Sequence, residues 1–138
     1  MFLSTLLGFV VFSALVCLVL PRLAPEAYAK HKENYRENHK TVGCRVTHMF
    51  GIPMIALSLP AIVLGWTWFL ALFVGGWILQ LAGHSVFEKN KPVLITSQSG
   101  SAGLPARLAV AFFTIVYAVI FVAEEWACLL TGRGLYRQ

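Results

Sequence analysis

The side chains best suited to chemistry in this sequence are four histidines, His31, His39, His48 and His84. Glu88 follows the last of them by four residues, and this spacing places the two side chains on one face of a helix. Imidazole and carboxylate groups together are typical ligands of non-haem iron, manganese or zinc. These five residues therefore predict a metal site, provided that the fold brings them together.

The spacing of His39 and His48 places a condition on that site. The two residues are nine positions apart, and at about 100° per residue they would point in opposite directions from one unbroken helix. Both can bind a single ion only if the helix breaks between them. Gly43 is the predicted break, because glycine adopts backbone conformations that other residues avoid.

The elements that must position these residues are apolar stretches. Hydrophobic residues make up 58% of the 138 residues and charged residues 12%, whereas a soluble domain carries about 25% charged residues. Four stretches are long enough to cross a hydrocarbon core of about 30 Å. They cover residues 2–20, 46–64, 66–84 and 108–130. The sequence predicts an all-α protein with one domain over 1–138, an integral membrane four-helix bundle.

Two shorter segments connect these spans. Residues 25–40 predict an amphipathic helix at the membrane interface, because Pro25 suits a first helical position and four aromatic or histidine residues share one face. Residues 93–106 are rich in serine and glycine and predict a flexible loop. Gly65, directly before Trp66, is the predicted turn between the second and third spans, since tryptophan favours the membrane interface.

The first span has two interpretations, a retained membrane helix or a cleaved signal peptide. Residues 27–29 (Ala-Tyr-Ala) match the small-residue pattern of a signal-peptide cleavage site. Against cleavage, no basic segment precedes the apolar run, and the run is longer than most signal-peptide cores. We expect the span to be retained.

Charge predicts the orientation. Eleven Lys and Arg stand against six Asp and Glu, and they concentrate between the apolar runs rather than on one face, which argues against a nucleic-acid partner. Residues 21–45 hold six basic residues, residues 83–107 three, and the C-terminal tail two. The positive-inside rule then places both connecting segments in the cytosol and both termini outside.

With this topology, the second and third spans form a hairpin that brings all four histidines to one cytosolic membrane face. Glu124 and Glu125 fall at the end of the last span, on the far side. A lone histidine near an interface is usually an amphipathic anchor, but four on one face favour a shared site. The three cysteines form no CxxC pair, so we predict no disulfide framework and no zinc ribbon.

Two sequence blocks carry a resemblance to a known family. Residues 35–53 contain the two histidines nine apart, followed by Gly51 and Pro53. Residues 77–92 contain the pattern Gln-x-x-Gly-His-x-x-Phe-Glu-Lys-x-x-Pro, which begins at Gln80. Together the blocks resemble the 2-hydroxy fatty acid dioxygenase family of the fungal endoplasmic reticulum and its bacterial relatives, over roughly residues 35–130.

The resemblance implies an Fe(II)-dependent membrane enzyme of fatty acid α-oxidation. Such an enzyme uses O2 to convert a 2-hydroxy fatty acid into an acid one carbon shorter. It implies His39, His48 and His84 as iron ligands, with Glu88 as a ligand or a supporting residue. His31 lies outside the motif and is a further candidate.

Three other residues are candidates for cofactor or substrate contacts. Gln80 lies one helical turn before His84 and is predicted to orient it through a hydrogen bond. Arg45 and Lys89 are predicted to attract a carboxylate headgroup.

Two other functions remain open from the residues alone. One is a non-catalytic four-span scaffold or lipid-binding protein, which would bind no metal. The other is a zinc-dependent lipid hydrolase, which would act without O2. The membrane, either the endoplasmic reticulum or a bacterial inner membrane, and the oligomeric state are not predicted.

Overall fold

The computed structural model describes residues 1–91 and 103–134, except for the side chain of Ala106, and these residues form helices and turns without a strand. The five α-helices are α1 (Phe2–Leu23), α2 (Pro25–Asn38), α3 (Val42–Ala61), α4 (Trp66–Ala82) and α5 (Leu104–Leu130). A 3-10 turn, Ile62–Leu64, extends α3, and a π-helical turn, Gly83–Glu88, extends α4. The prediction of an all-α protein is confirmed.

Four of the helical segments are long and apolar enough to cross a membrane: Phe2–Leu23, Val42–Leu64, Trp66–Glu88 and Arg107–Leu130. Many of their large apolar side chains are exposed, as with Phe12 and Ile78, because a bilayer rather than protein would cover them. The predicted bundle of four membrane-spanning helices is therefore confirmed. Of the predicted loop 93–106, residues 93–102 lie outside the described residues, and Leu104 already belongs to α5.

The hairpin of α3 and α4 depends on glycines. Gly65 forms the turn with φ 123° and ψ 158°, a conformation that is essentially restricted to glycine. Further along, a Cβ atom on Gly51 would lie 2.8 Å from the carbonyl oxygen of Gly76, and one on Gly76 would lie 2.7 Å from that of Gly51. The two backbones therefore pack in direct contact, as is typical of small residues between membrane helices.

The break between α2 and α3 lies earlier than predicted. α2 ends at Asn38, and Thr41 caps α3 by accepting a hydrogen bond from the backbone N–H of Cys44 at 3.3 Å. Gly43 lies inside the first turn of α3, so the prediction of a break at this residue was wrong. Its missing side chain leaves room for the ring of Phe87, which packs directly over it.

The direction of α5 also differs from the prediction. The Trp126 indole N–H donates to the carbonyl oxygen of Met49 at 2.9 Å, and Glu124 forms an ion pair with Lys32 at 2.9 Å. Glu125 is buried and interacts with Tyr35 and Arg45. The C-terminal end of α5 therefore lies beside α2 and the start of α3, at the histidine end, and the placement of both glutamates on the far side was wrong.

Candidate metal centre

Three histidines from three separate elements meet at one end of the bundle. The ring centroids of His39 and His48 are 4.4 Å apart, and each lies 4.9 Å from the centroid of His84. All three side chains are at most 4% exposed. The interhelical break after α2 supplies His39, the second turn of α3 supplies His48, and the π-helical turn supplies His84.

The hydrogen bonds of His39 and His48 decide which ring nitrogen carries the proton. Nδ1 of His39 lies 2.6 Å from the carbonyl oxygen of Tyr35, and Nδ1 of His48 lies 2.8 Å from that of Cys44. Because a carbonyl oxygen can only accept, each Nδ1 must donate its proton. In the neutral rings Nε2 is then left with a free lone pair, which is the form that binds a metal.

His84 is fixed in the same way through a side chain. Its Nδ1 lies 2.7 Å from Oδ1 of Asn90, whose Nδ2 donates to the carbonyl oxygen of Asn38 at 3.1 Å. This second bond sets the orientation of the amide, so Oδ1 faces His84 and accepts its proton. Lys89, directly before Asn90, adopts a left-handed conformation with φ 56° where the π-helical turn ends.

The charge state of His39 also suits a metal. Its Nε2 atom is buried and has no hydrogen-bond partner in the described part of the chain. Burial lowers the pKa of His39 to about 4, because desolvation disfavours the imidazolium form. A neutral imidazole with an unused, buried nitrogen is the form that binds a metal ion, so His39 fits the role of a metal ligand.

Cys44 belongs to the same cluster, which the sequence reasoning missed. It is fully buried, and its Sγ atom lies 3.7 Å from Nδ1 of His48. One ligand atom from each of His39, Cys44, His48 and His84 lies within 4.8 Å of every other. The four-residue spacing of Cys44 and His48 was the available signal, since it places both on one face of α3.

Glu88 takes a supporting position. Its carboxylate accepts hydrogen bonds from the backbone N–H groups of Lys40 and Thr41, both at 2.9 Å, and from the Thr41 hydroxyl at 2.7 Å. Glu88 is absent from the four-residue ligand cluster among the described residues. It ties the π-helical turn to the break before α3 and so fixes His84 relative to His39.

Gln80 and Arg45 both lie close to the cluster, Gln80 without the predicted bond to His84 and Arg45 in a bond to the backbone. The hydrogen bond to His84 that was expected from Gln80 comes from Asn90 instead, and Nε2 of Gln80 has no partner among the described residues. The Nε atom of Arg45 donates to the carbonyl oxygen of His39 at 2.8 Å, so this buried guanidinium group secures the chain break.

His31 and Lys89 stand apart from the cluster. The His31 ring stacks on Tyr117 with centroids 4.4 Å apart, and burial together with the charge of Lys30 lowers its pKa. The side chain of Lys89 is exposed, where the π-helical turn ends. The structure thus brings together three of the four histidines, adds a cysteine, and leaves His31 on the cavity wall.

The family described as 2-hydroxy-palmitic acid dioxygenase Mpo1-like matches residues 26–101, more than half of the chain. The chain belongs to the Mpo1-like family. No curated protein and no solved structure gives a significant match.

The Mpo1-like match includes α2 from its second residue, α3, α4 and the π-helical turn, and therefore all four residues of the cluster. It starts earlier than the resemblance seen in the sequence and ends before α5. Helices α1 and α5 lie outside it, although both pack against the matched elements.

A cavity of about 700 Å³ extends from the histidine cluster into the bundle. Its histidine end includes all three clustered imidazoles, and its walls are mostly apolar, with side chains from α1, α3, α4 and α5 such as Phe12, Leu59, Phe73 and Phe112. A mainly apolar cavity with a few convergent polar groups is the usual form of a small-molecule site. In this Mpo1-like chain, α1 and α5 complete the cavity that the matched segment begins.

Proposed function

We propose that this chain is an Fe(II)-dependent dioxygenase that cleaves a 2-hydroxy fatty acid with O2 to give an acid one carbon shorter. The observation that carries the proposal is the set of three imidazoles whose Nδ1 atoms are engaged, a tautomer that leaves the Nε2 lone pairs for a metal, at the end of an apolar cavity. The description of the Mpo1-like family supports the same substrate class.

In this proposal His39, His48 and His84 hold the iron. Bound iron would supply activation of O2, and three protein ligands leave positions for O2 and substrate, as in other non-haem iron oxygenases. Asn90 and the carbonyl groups of Tyr35 and Cys44 keep the ring protons on Nδ1. Glu88 and Arg45 hold the chain break that carries His39.

The cavity would bind the substrate with its tail in the apolar part and its head at the histidine end. The apolar walls would hold the acyl chain and exclude water from the head of the substrate at the histidine end. The exposed cationic groups of Lys40, Lys89 and Lys91 at this end would attract the carboxylate.

The proposed reaction balances without an external reductant. A 2-hydroxy acid and one O2 give the shortened acid, CO2 and water. The C1–C2 bond breaks, C1 leaves as CO2, and C2 is oxidised from an alcohol to a carboxylic acid. The substrate thus supplies all the electrons that O2 accepts. We place the active face on the cytosolic side of an endoplasmic reticulum or bacterial inner membrane, because basic residues concentrate at the histidine end.

One observation favours a second candidate, a zinc-dependent lipid hydrolase. Cys44 lies in the ligand cluster, and a set of three histidines and one cysteine is a donor set that zinc accepts readily. A hydrolase would release product in the absence of O2, so oxygen dependence separates the two candidates.

The test is turnover by the full-length chain, purified anaerobically in detergent and loaded with Fe(II). With 2-hydroxyhexadecanoate we expect consumption of one O2 for each pentadecanoate formed, and with hexadecanoate no O2 consumption. His84→Ala should abolish turnover. Turnover without O2, or equal turnover of the two acids, would contradict the dioxygenase proposal.

A further inference from the structure

Gln80 is a buried amide inside the bundle to which the proposed chemistry assigns no role. Its side chain is 7% exposed and lines the cavity, and its Nε2 atom has no hydrogen-bond partner within the described part of the chain. Polar side chains inside a membrane span are costly and usually mark functional positions.

The fold makes room for this amide at one place. A Cβ atom on Gly51 would lie 2.8 Å from Nε2 of Gln80, so the amide occupies the space above the bare backbone of Gly51. Any side chain at position 51 would push the amide away. The close packing of α3 and α4 thus holds an unpaired donor in the wall of the cavity.

The depth of the amide follows from helix geometry. Gln80 precedes His84 by four residues, and Gly51 follows His48 by three, so the amide lies about one turn deeper in the bundle than the imidazoles. It does not orient His84, because Asn90 already accepts the proton on Nδ1 of that ring.

The position of Gln80 indicates which kind of group would accept a hydrogen bond from its Nε2 atom. A buried N–H without an acceptor carries a desolvation cost that a ligand oxygen would relieve. An acyl tail offers no acceptor, so the partner must belong to the polar head of the substrate. Of its two polar groups, the oxygen on C2 lies nearer the tail and therefore deeper than the carboxylate.

We propose that Gln80 donates a hydrogen bond to the C2 oxygen of the hydroxy acid and so selects 2-hydroxy acids over unhydroxylated ones. The inference rests on the proposed function and names the residue that recognises the hydroxyl group. A site built to bond a substrate hydroxyl discriminates strongly, because the analogue without it leaves the buried donor unpaired.

The test is equilibrium binding of 2-hydroxyhexadecanoate and of hexadecanoate to the full-length, Fe(II)-loaded chain without O2. In Gln80→Leu we expect binding of the hydroxy acid to weaken about tenfold and binding of hexadecanoate to change less than twofold. The matched control is Leu81→Met, at the neighbouring and outward-facing position, which should leave both affinities unchanged.

Stability provides a second readout that a purely structural role would move in the opposite direction. Gln80→Leu replaces an unpaired buried amide by an apolar group, so the unfolding temperature of the ligand-free variant should equal or exceed that of the wild type. A lower unfolding temperature together with weaker binding of both acids would identify a structural residue and overturn the inference.

The remaining outcomes separate this inference from the proposed function. Equal weakening of both acids would place the contact on the carboxylate and overturn the assignment to the C2 oxygen. Unchanged selectivity in Gln80→Leu, with a wild type that prefers the hydroxy acid, would overturn the inference alone. A wild type that binds both acids equally and consumes no O2 would overturn the proposed function as well.

Discussion

At the residue scale, the orientation of the three imidazoles is fixed by neighbouring oxygen atoms. Tyr35 and Cys44 offer backbone carbonyls to His39 and His48, and Asn90 offers its side-chain oxygen to His84. Such partners set the tautomer and ring orientation of metal-binding histidines. These contacts therefore hold each ring in the tautomer that binds a metal through Nε2.

Of the three acceptors, only the Asn90 side chain can be removed by a substitution, because the other two are backbone carbonyl oxygens. In Asn90→Ala, His84 loses the acceptor for its Nδ1 proton, and we expect iron affinity to fall about 10- to 100-fold. Competition with a chelator of known affinity measures the change. Ser85→Ala is the control, because this exposed hydroxyl bonds only within its own turn in the described structure. Unchanged affinity in Asn90→Ala would contradict the role of this amide.

A substitution of Glu88 distinguishes between two roles for this residue, a metal ligand or a support for the ligands. Because its carboxylate accepts three hydrogen bonds from Lys40 and Thr41, Glu88→Ala should retain the iron-to-chain ratio of the wild type and weaken iron binding about tenfold. Titration with Fe(II) under anaerobic conditions gives both quantities. A loss as complete as that in His84→Ala would show instead that Glu88 is a ligand.

The sequence predicts the clustered histidines but not the groups that lie beside them, Asn90 and Cys44. The convergence of His48 and His84 follows from two antiparallel spans joined at Gly65, which the apolar run and the Gly65-Trp66 pair predict. Asn90 escaped notice because its position depends on the π-helical turn and the left-handed Lys89, and neither leaves a periodic pattern. Cys44 was not predicted because a ligand set that combines one thiol with histidines contains no CxxC pair.

At the element scale, the site depends on how closely α3 and α4 approach. Gly51 and Gly76 bring the two backbones into contact, and Gly83 leaves room for Thr47 and the His48 ring. This contact sets the separation of the helices that carry His48 and Gln80.

A methyl group at Gly51 should separate the helices. In Gly51→Ala the new Cβ would lie 2.8 Å from the carbonyl oxygen of Gly76, and we expect a loss of about 1–3 kcal/mol in unfolding free energy. Gly8→Ala is the matched control, because nothing lies within 4 Å of a Cβ at that helical position. Denaturant titration in mixed micelles measures both. Equal stability of the two variants would contradict the close contact at Gly51.

The direction of α5 could not be obtained from the sequence. Counting apolar stretches assumes that each crosses in the opposite sense to the previous one. The contacts of Trp126 with Met49 and of Glu124 with Lys32 are tertiary, and no local pattern reveals them.

At the scale of the whole molecule, the direction of α5 predicts which positions share one side of the membrane. In sealed vesicles, an impermeant thiol reagent should label Lys30→Cys and Arg133→Cys from the same side and Trp66→Cys from the other. The background carries Cys17→Ser and Cys128→Ser, and its lack of labelling is the control. Labelling of Lys30→Cys and Arg133→Cys from opposite sides would contradict the arrangement of α5.

The whole molecule combines a membrane-embedded apolar cavity with a ligand cluster at one end. Helices α1 and α5 lie outside the family match, yet both contribute side chains to the cavity wall. This arrangement suits a substrate that resides in the bilayer, because the tail can remain in an apolar environment while the head reaches the cluster.

The most direct measurement is the iron content of the full-length chain after anaerobic loading with Fe(II), in the wild type, His84→Ala and His31→Ala. We predict one iron per chain in the wild type, none in His84→Ala, and one in His31→Ala, because His31 stacks on Tyr117 outside the cluster. Iron retained in His84→Ala, or lost in His31→Ala to the same degree, would contradict the assignment of the metal centre to His39, His48 and His84.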